Sequence, residues 1–188
     1  MKNFKAISLF ILFASITTIS IAQDKYFTRE GFVSFHSDTE VEQIHEDIYK
    51  VTSILDTETG KLEFAVLMKA FEFEKALMEE HFNENYVESD KFPKAIFKGQ
   101  ISALEAVNWE QNGEYTVIVN GTLTIHGVSN EISEKGIITI HEKGIKATSS
   151  FMIMVSDYDI SIPKVVIKNI AEEVKVDVKM DYQKFTKS

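Results

Sequence analysis

The sequence predicts an all-β fold of roughly eight antiparallel strands, packed as a sandwich or closed into a barrel, with one short helix near an end. Three observations carry this. Apolar and polar residues alternate with a period of two along most of the chain. Short turn signals separate the alternating runs. One segment alone replaces the alternation with helix-forming residues.

The alternation is strictest near the C-terminus, where Val174, Val176, Val178, Met180 and Tyr182 interleave with Lys175, Asp177, Lys179 and Asp181. A strand of this pattern has one wet face and one apolar face. Tyr115, Val117, Val119, Leu123 and Ile125 alternate with Thr116, Asn120, Thr122 and Thr124 in the same way. Leu62, Phe64, Val66 and Met68 repeat the pattern, and Phe151, Ile153 and Val155 do so more weakly. Residues 95–101 and 132–140 read as further strands, and 27–35 and 48–55 supply the first two. Glu58-Thr59-Gly60-Lys61, Gln111-Asn112-Gly113 and Glu142-Lys143-Gly144 are the turn signals between neighbours. A barrel leaves no exposed sheet edge, and eight strands close around an interior that side chains or one slim ligand can fill.

Residues 73–83 break the rhythm. Ala76, Leu77, Met78, Glu79 and Glu80 are good helix formers, with Phe73, Leu77 and Phe82 near one face. A polar, irregular stretch follows to Pro93. The segment reads equally as a cap over one end of the sheet or as a surface helix.

Composition narrows the function. The 188 residues are 44% hydrophobic, with 14 Phe and only 2 Pro, enough for one sizeable core. A net charge of -9 disfavours nucleic acid, which needs a basic face. The absence of cysteine removes disulfides, thiolate metal sites and a Cys nucleophile. The five histidines, 36, 45, 81, 126 and 141, show no metal-binding spacing, and no cofactor fingerprint occurs.

The N-terminus predicts export. Lys2 and Lys5 precede an apolar run over 6–21, and Ser20 and Ala22 sit two apart as a signal peptidase requires. Residues 1–22 are therefore expected to be a cleavable signal peptide and 23–188 a single domain, periplasmic or extracellular, that does not span the membrane. Monomer and homodimer both stay open.

Three stretches resemble the YceI family of exported lipid- and polyisoprenoid-binding proteins. Gly121-Thr122-Leu123-Thr124-Ile125-His126-Gly127 is similar to the family's Gly-x-Leu-x-x-His-Gly signature. Residues 81–99, with Phe92-Pro93 followed by Phe97 on a strand, resemble its aromatic-Pro segment. Ser156-Asp157-Tyr158-Asp159-Ile160 resembles its Asp-aromatic-Gly-Ile element, with Asp159 in the place of the usual glycine and no preceding Arg. The resemblance implies a lipocalin-like, extended antiparallel barrel around a hydrophobic tunnel. It implies a bound isoprenoid or fatty chain, held for sequestration, storage or transport in the cell envelope, without catalysis.

Inward apolar positions then become candidate tunnel lining: Phe64, Val66 and Met68; Phe97; Val117, Val119 and Leu123; Phe151 and Ile153; Val176 and Val178; with Phe82 from the helical segment and Tyr158 from the third motif. Gly99 and Gly121 either leave volume or permit a bend. His126 and Asp157 are candidate polar groups at the mouth, although a lone His more often bonds backbone at a strand end. Two alternatives remain: a lipid-directed enzyme, for which His126, Asp157 and Tyr158 are the available polar groups, and a stress-related interaction protein with a packed barrel.

Overall fold

The computed structural model describes Lys25–Phe185; the expected signal peptide lies outside these residues. Eight strands run β1 (Lys25–Asp38), β2 (Gln43–Asp56), β3 (Lys61–Leu67), β4 (Lys94–Ser102), β5 (Gly113–Ile125), β6 (Val128–His141), β7 (Gly144–Met154) and β8 (Glu173–Lys184). Each pairs antiparallel with its sequence neighbour, and β1 pairs with β8, so the sheet closes into a barrel. One short helix, α1 (Ala76–His81), continues into a π-helical turn at Phe82–Tyr86. The sandwich alternative is thereby removed.

An up-and-down barrel sorts its connections between two ends. At the lower end lie the turns at 57–60 and 142–143 and the segment 103–112, longer than the hairpin its turn signal suggested. At the upper end lie the hairpin at 39–42, the two-residue turn His126-Gly127, and two long segments, 68–93 and 155–172. The lower end is closely packed. Val51, Leu55, Ile101, Val107, Ile140, Ile145 and Tyr182 are all buried there.

Gly99 and Gly121 face each other across β4 and β5. A Cβ on Gly121 would lie 2.4 Å from the Lys98 carbonyl oxygen and 2.8 Å from the Phe97 ring. The glycines therefore neither leave empty volume nor mark a turn: they let the Phe97 ring lie flat against the wall, where it stacks on Phe64 at 5.2 Å.

Tyr182 fixes the lower core. Ser53 Oγ donates to the Glu63 carbonyl at 2.9 Å, so its 2.7 Å contact with Tyr182 is the phenol donating to Ser53. Burial pushes the phenol pKa up to about 12 from 10.0. Below pH 10 neither state is ionised; between 10 and 12 the unfolded chain loses a proton that the folded chain keeps, so stability falls as pH rises. Denaturant titrations should show wild-type protein losing about 2–3 kcal/mol across this window. Tyr182→Phe should cost about 1 kcal/mol at neutral pH and remove that part of the alkaline loss.

Candidate functional site

The upper half of the barrel is not filled. A cavity of about 180 Å3 lies between the barrel wall and the two long upper segments. From the wall come Val33 and Phe35 on β1, Phe64 and Val66 on β3, Leu123 and Ile125 on β5, Phe151 and Ile153 on β7, and Val174 and Val176 on β8. Met68, Phe71, Phe73, Met78, Phe82, Tyr86 and Val87 close it from the first upper segment, and Ile160, Ile162 and Ile170 from the second. Ser37 and Tyr86 are the lining residues with polar side-chain atoms, and the Ser37 hydroxyl already accepts the Ala171 N–H at 2.9 Å. A second, smaller cavity of about 70 Å3 lies below, lined by Leu62, Phe97, Val117, Val119, Ile138, Val178 and Met180 among others. Phe64 and Phe151 line both.

Helical spacing explains the lid. Met78, Phe82 and Tyr86 recur every fourth residue, so one face of the helical segment looks into the barrel. Leu77 lies off that face and is exposed, contrary to its expected place beside Phe82. Phe73 precedes the helix, which begins at Ala76, but still packs on it. Phe82 anchors the lid by stacking on Phe35 at 5.7 Å and meeting Phe71 edge-on at 5.5 Å.

A polar junction holds both upper segments. The His126 ring sits between them, with Nε2 at 2.7 Å from Glu88 Oε2 and Nδ1 at 3.1 Å from the Tyr158 carbonyl oxygen. Both partners are acceptors, so both contacts are satisfied when the ring carries two protons. The neighbouring Asn130 side chain donates to the Asp157 carbonyl at 2.7 Å. Phe92 packs edge-on against the imidazole at 4.7 Å and also covers Gly127, whose φ of +76° and whose 2.4 Å clearance from that ring both require glycine. Three of the four non-glycine residues with positive φ among the described residues are Glu88, His126 and Asp159. The third motif's usual glycine is thus explained by backbone shape, and Asp tolerates that shape better than most residues.

Twelve of the thirteen residues expected to line a tunnel line one of the two cavities; the exception is Tyr158, which is buried beside the His126 junction. Met68 lies just past the end of β3, yet it still faces the cavity because its N–H bonds the Pro93 carbonyl at 3.0 Å. Asp157 is exposed and acts through its backbone, and both His126 nitrogens are occupied, so the three residues considered for chemistry do not converge on a cavity. Among the described residues no group of three or more His, Asp or Glu is placed to hold a metal. Sequence reasoning missed Phe35, Phe71, Ile160, Ile162 and Ile170. Phe35 shares the inward parity of Val33 on β1, but the isoleucines lie in irregular backbone that carries no periodic signal.

His126→Ala should free both segments at a cost of about 1–2 kcal/mol, since one of its partners is partly exposed. Hydrogen exchange should then quicken in 82–92 and 155–162 and leave the strands protected. Hydrogen bonding from His126 holds the Glu88 carboxyl below its ordinary 4.5, so its contribution is fully present above 4.5 and is lost as pH falls through the lowered value. Protection of 82–92 should therefore drop selectively in acid, and Glu88→Gln should abolish that pH dependence.

The same fold recurs in solved structures. A polyisoprenoid-binding domain from Saccharophagus degradans, implicated in plant cell wall breakdown, superposes with a TM-score of 0.74 at 14% identity, covering 87% of this chain and 99% of that one. BcnA of Burkholderia cenocepacia gives 0.65 at 15% identity over 79% and 94%. A YCEI protein of Campylobacter jejuni gives 0.54 at 15% identity over 98% and 92%. No curated protein sequence matches this chain. The family model of the YceI-like domain matches residues 23–182, which includes β1 to β7, β8 as far as Tyr182, both upper segments and the His126 junction; this chain belongs to the YceI-like family.

Proposed function

We propose that this protein binds one long apolar ligand, of the polyisoprenoid or fatty-acid kind, inside its barrel and holds it without chemical change. The upper cavity carries the reading: its 24 lining residues include only two with polar side-chain atoms, and one of those is already bonded to backbone. An apolar void of about 150 Å3 stays dry and accepts a small hydrocarbon, because water finds no partners there. Each methylene that enters contributes about 0.8 kcal/mol. The upper cavity alone suits a short stretch of chain, so a longer ligand extends past Phe64 and Phe151 into the lower one. Membership of the YceI-like family and the fold shared with a polyisoprenoid-binding domain support a binding protein rather than an enzyme. The basic-then-apolar N-terminus supports a place in the periplasm or outside the cell, where such a barrel sequesters, stores or carries its ligand.

Native mass spectrometry of protein purified from its host should find a retained mass that organic extraction removes, and the stripped protein should take up an added isoprenoid alcohol. Ala95→Phe, which builds a ring into the upper cavity, should cut that uptake about tenfold or more while leaving the barrel folded. Finding no retained mass and no uptake would overturn the proposal.

A further inference from the structure

Among the described residues, Glu134 is the one charged side chain that lines either cavity. On β6 the inward positions are Ile132, Glu134, Gly136, Ile138 and Ile140, and Glu134 lines the lower cavity beside Val119, its cross-strand neighbour on β5. Among the described residues Glu134 has no ion-pair or hydrogen-bond partner, and neither Lys nor Arg lines that cavity. Of the three hydroxyl residues lining that cavity, Thr148, Ser149 and Tyr182, two are committed elsewhere: Ser149 donates to the Lys135 carbonyl at 2.8 Å, and Tyr182 donates to Ser53. Burial shifts the carboxyl pKa upward, the signature of a charge partly stripped of water without compensation.

The wall parts at this point. Pairing of β6 with β7 runs from His141 and Gly144 only as far as Gly136 and Ser149. Beyond that pair β7 continues alongside β8 to Met154, and β6 continues alongside β5 to Val128. Above the bond from Ser149 to the Lys135 carbonyl, the next ties run from Asn130 and His126 to the backbone of Asp157 and Tyr158, beyond the end of β7. Glu134 is the first inward residue past the last pair, so it stands at the lower edge of a gap in the barrel wall.

We propose that Glu134 is the head-group site of the ligand and selects a hydrogen-bond-donating group, a hydroxyl or an amine, on a chain that runs upward past Phe64 and Phe151. This rests on the reading that the barrel takes an apolar chain, and adds what stands at the end of that chain. A donor completes the carboxylate, whereas a carboxylate or phosphate head would place like charges together in apolar surroundings with no cation to offset them.

The test compares dodecylamine, dodecanol and dodecanoate, each below its aggregation threshold, by displacement of an apolar fluorophore at mildly alkaline pH. Wild-type protein should bind the amine and the alcohol about tenfold more tightly than the carboxylate, the scale of one hydrogen bond to a charged group. Glu134→Gln should retain the alcohol, lose most of the preference for the amine and gain affinity for the carboxylate; Glu134→Leu should lose the preference for both donors. Thermal unfolding of each variant shows whether the barrel is intact. Equal binding of all three by wild type, or an unchanged order in both variants, would overturn the role of Glu134 while leaving the apolar site standing. Failure of all three to bind would overturn the apolar site itself and the head-group site with it.

Discussion

Backbone pairing of β1 with β8 closes the sheet, and the closed wall fixes a diameter that every inward side chain must share. Branched aliphatics and Tyr182 fill most of that diameter in the lower half and leave only the smaller cavity. In the upper half the wall alone cannot close the space, and segments 68–93 and 155–172 have to fold over it. They contribute 11 of the 24 lining residues, so the void exists only while they stay in place. The aromatic group of Phe35, Phe71, Phe73 and Phe82 holds the first segment by area and ring geometry. The second segment has fewer such contacts and relies more on hydrogen bonds to Ser37, Glu42 and His126.

The three motifs that resemble the family signature gather at one place. Phe92 from the first, His126 and Gly127 from the second and Tyr158 from the third touch one another around the imidazole. Three non-glycine residues take left-handed backbone there, each at a cost on the order of 1 kcal/mol. That concentration of strain persists because the junction joins both lids to the barrel through a single side chain. The signature thus records how the lids are fastened, and it carries little direct information about the ligand.

The barrel was legible in the sequence because alternation is a direct imprint of a two-faced sheet. Val174 to Tyr182 could hardly be read otherwise, and the lining residues on β3, β5, β7 and β8 follow from the same parity. The lids were less legible. Leu77 and Met78 are equally good helix formers, and only the three-dimensional seating of the helix on Phe35 decides that Met78 points inward. Ile160, Ile162 and Ile170 lie in irregular backbone tied to the barrel through Asn169 and Ala171, which leaves no periodic trace. Glu134 was hidden for a different reason: within a strand of mixed polar and apolar residues, one inward carboxylate does not disturb the pattern enough to be noticed. Tyr158 joins the expected lining through the third motif, while the fold uses its ring in the packing behind the junction and its carbonyl in the junction itself.

The division between a hydrogen-bonded wall and two separate lids has an evolutionary consequence. A strand in the wall is constrained by two neighbours and by its interior partners, so its substitutions must preserve parity and volume together. The lids answer to a few anchors, chiefly Phe82 and the groups around His126. Residues such as Met78, Ile162 and Ile170 can therefore drift in size without disturbing strand register. The scaffold can explore new cargo by remodelling its covers while its folding stability stays invested in the wall.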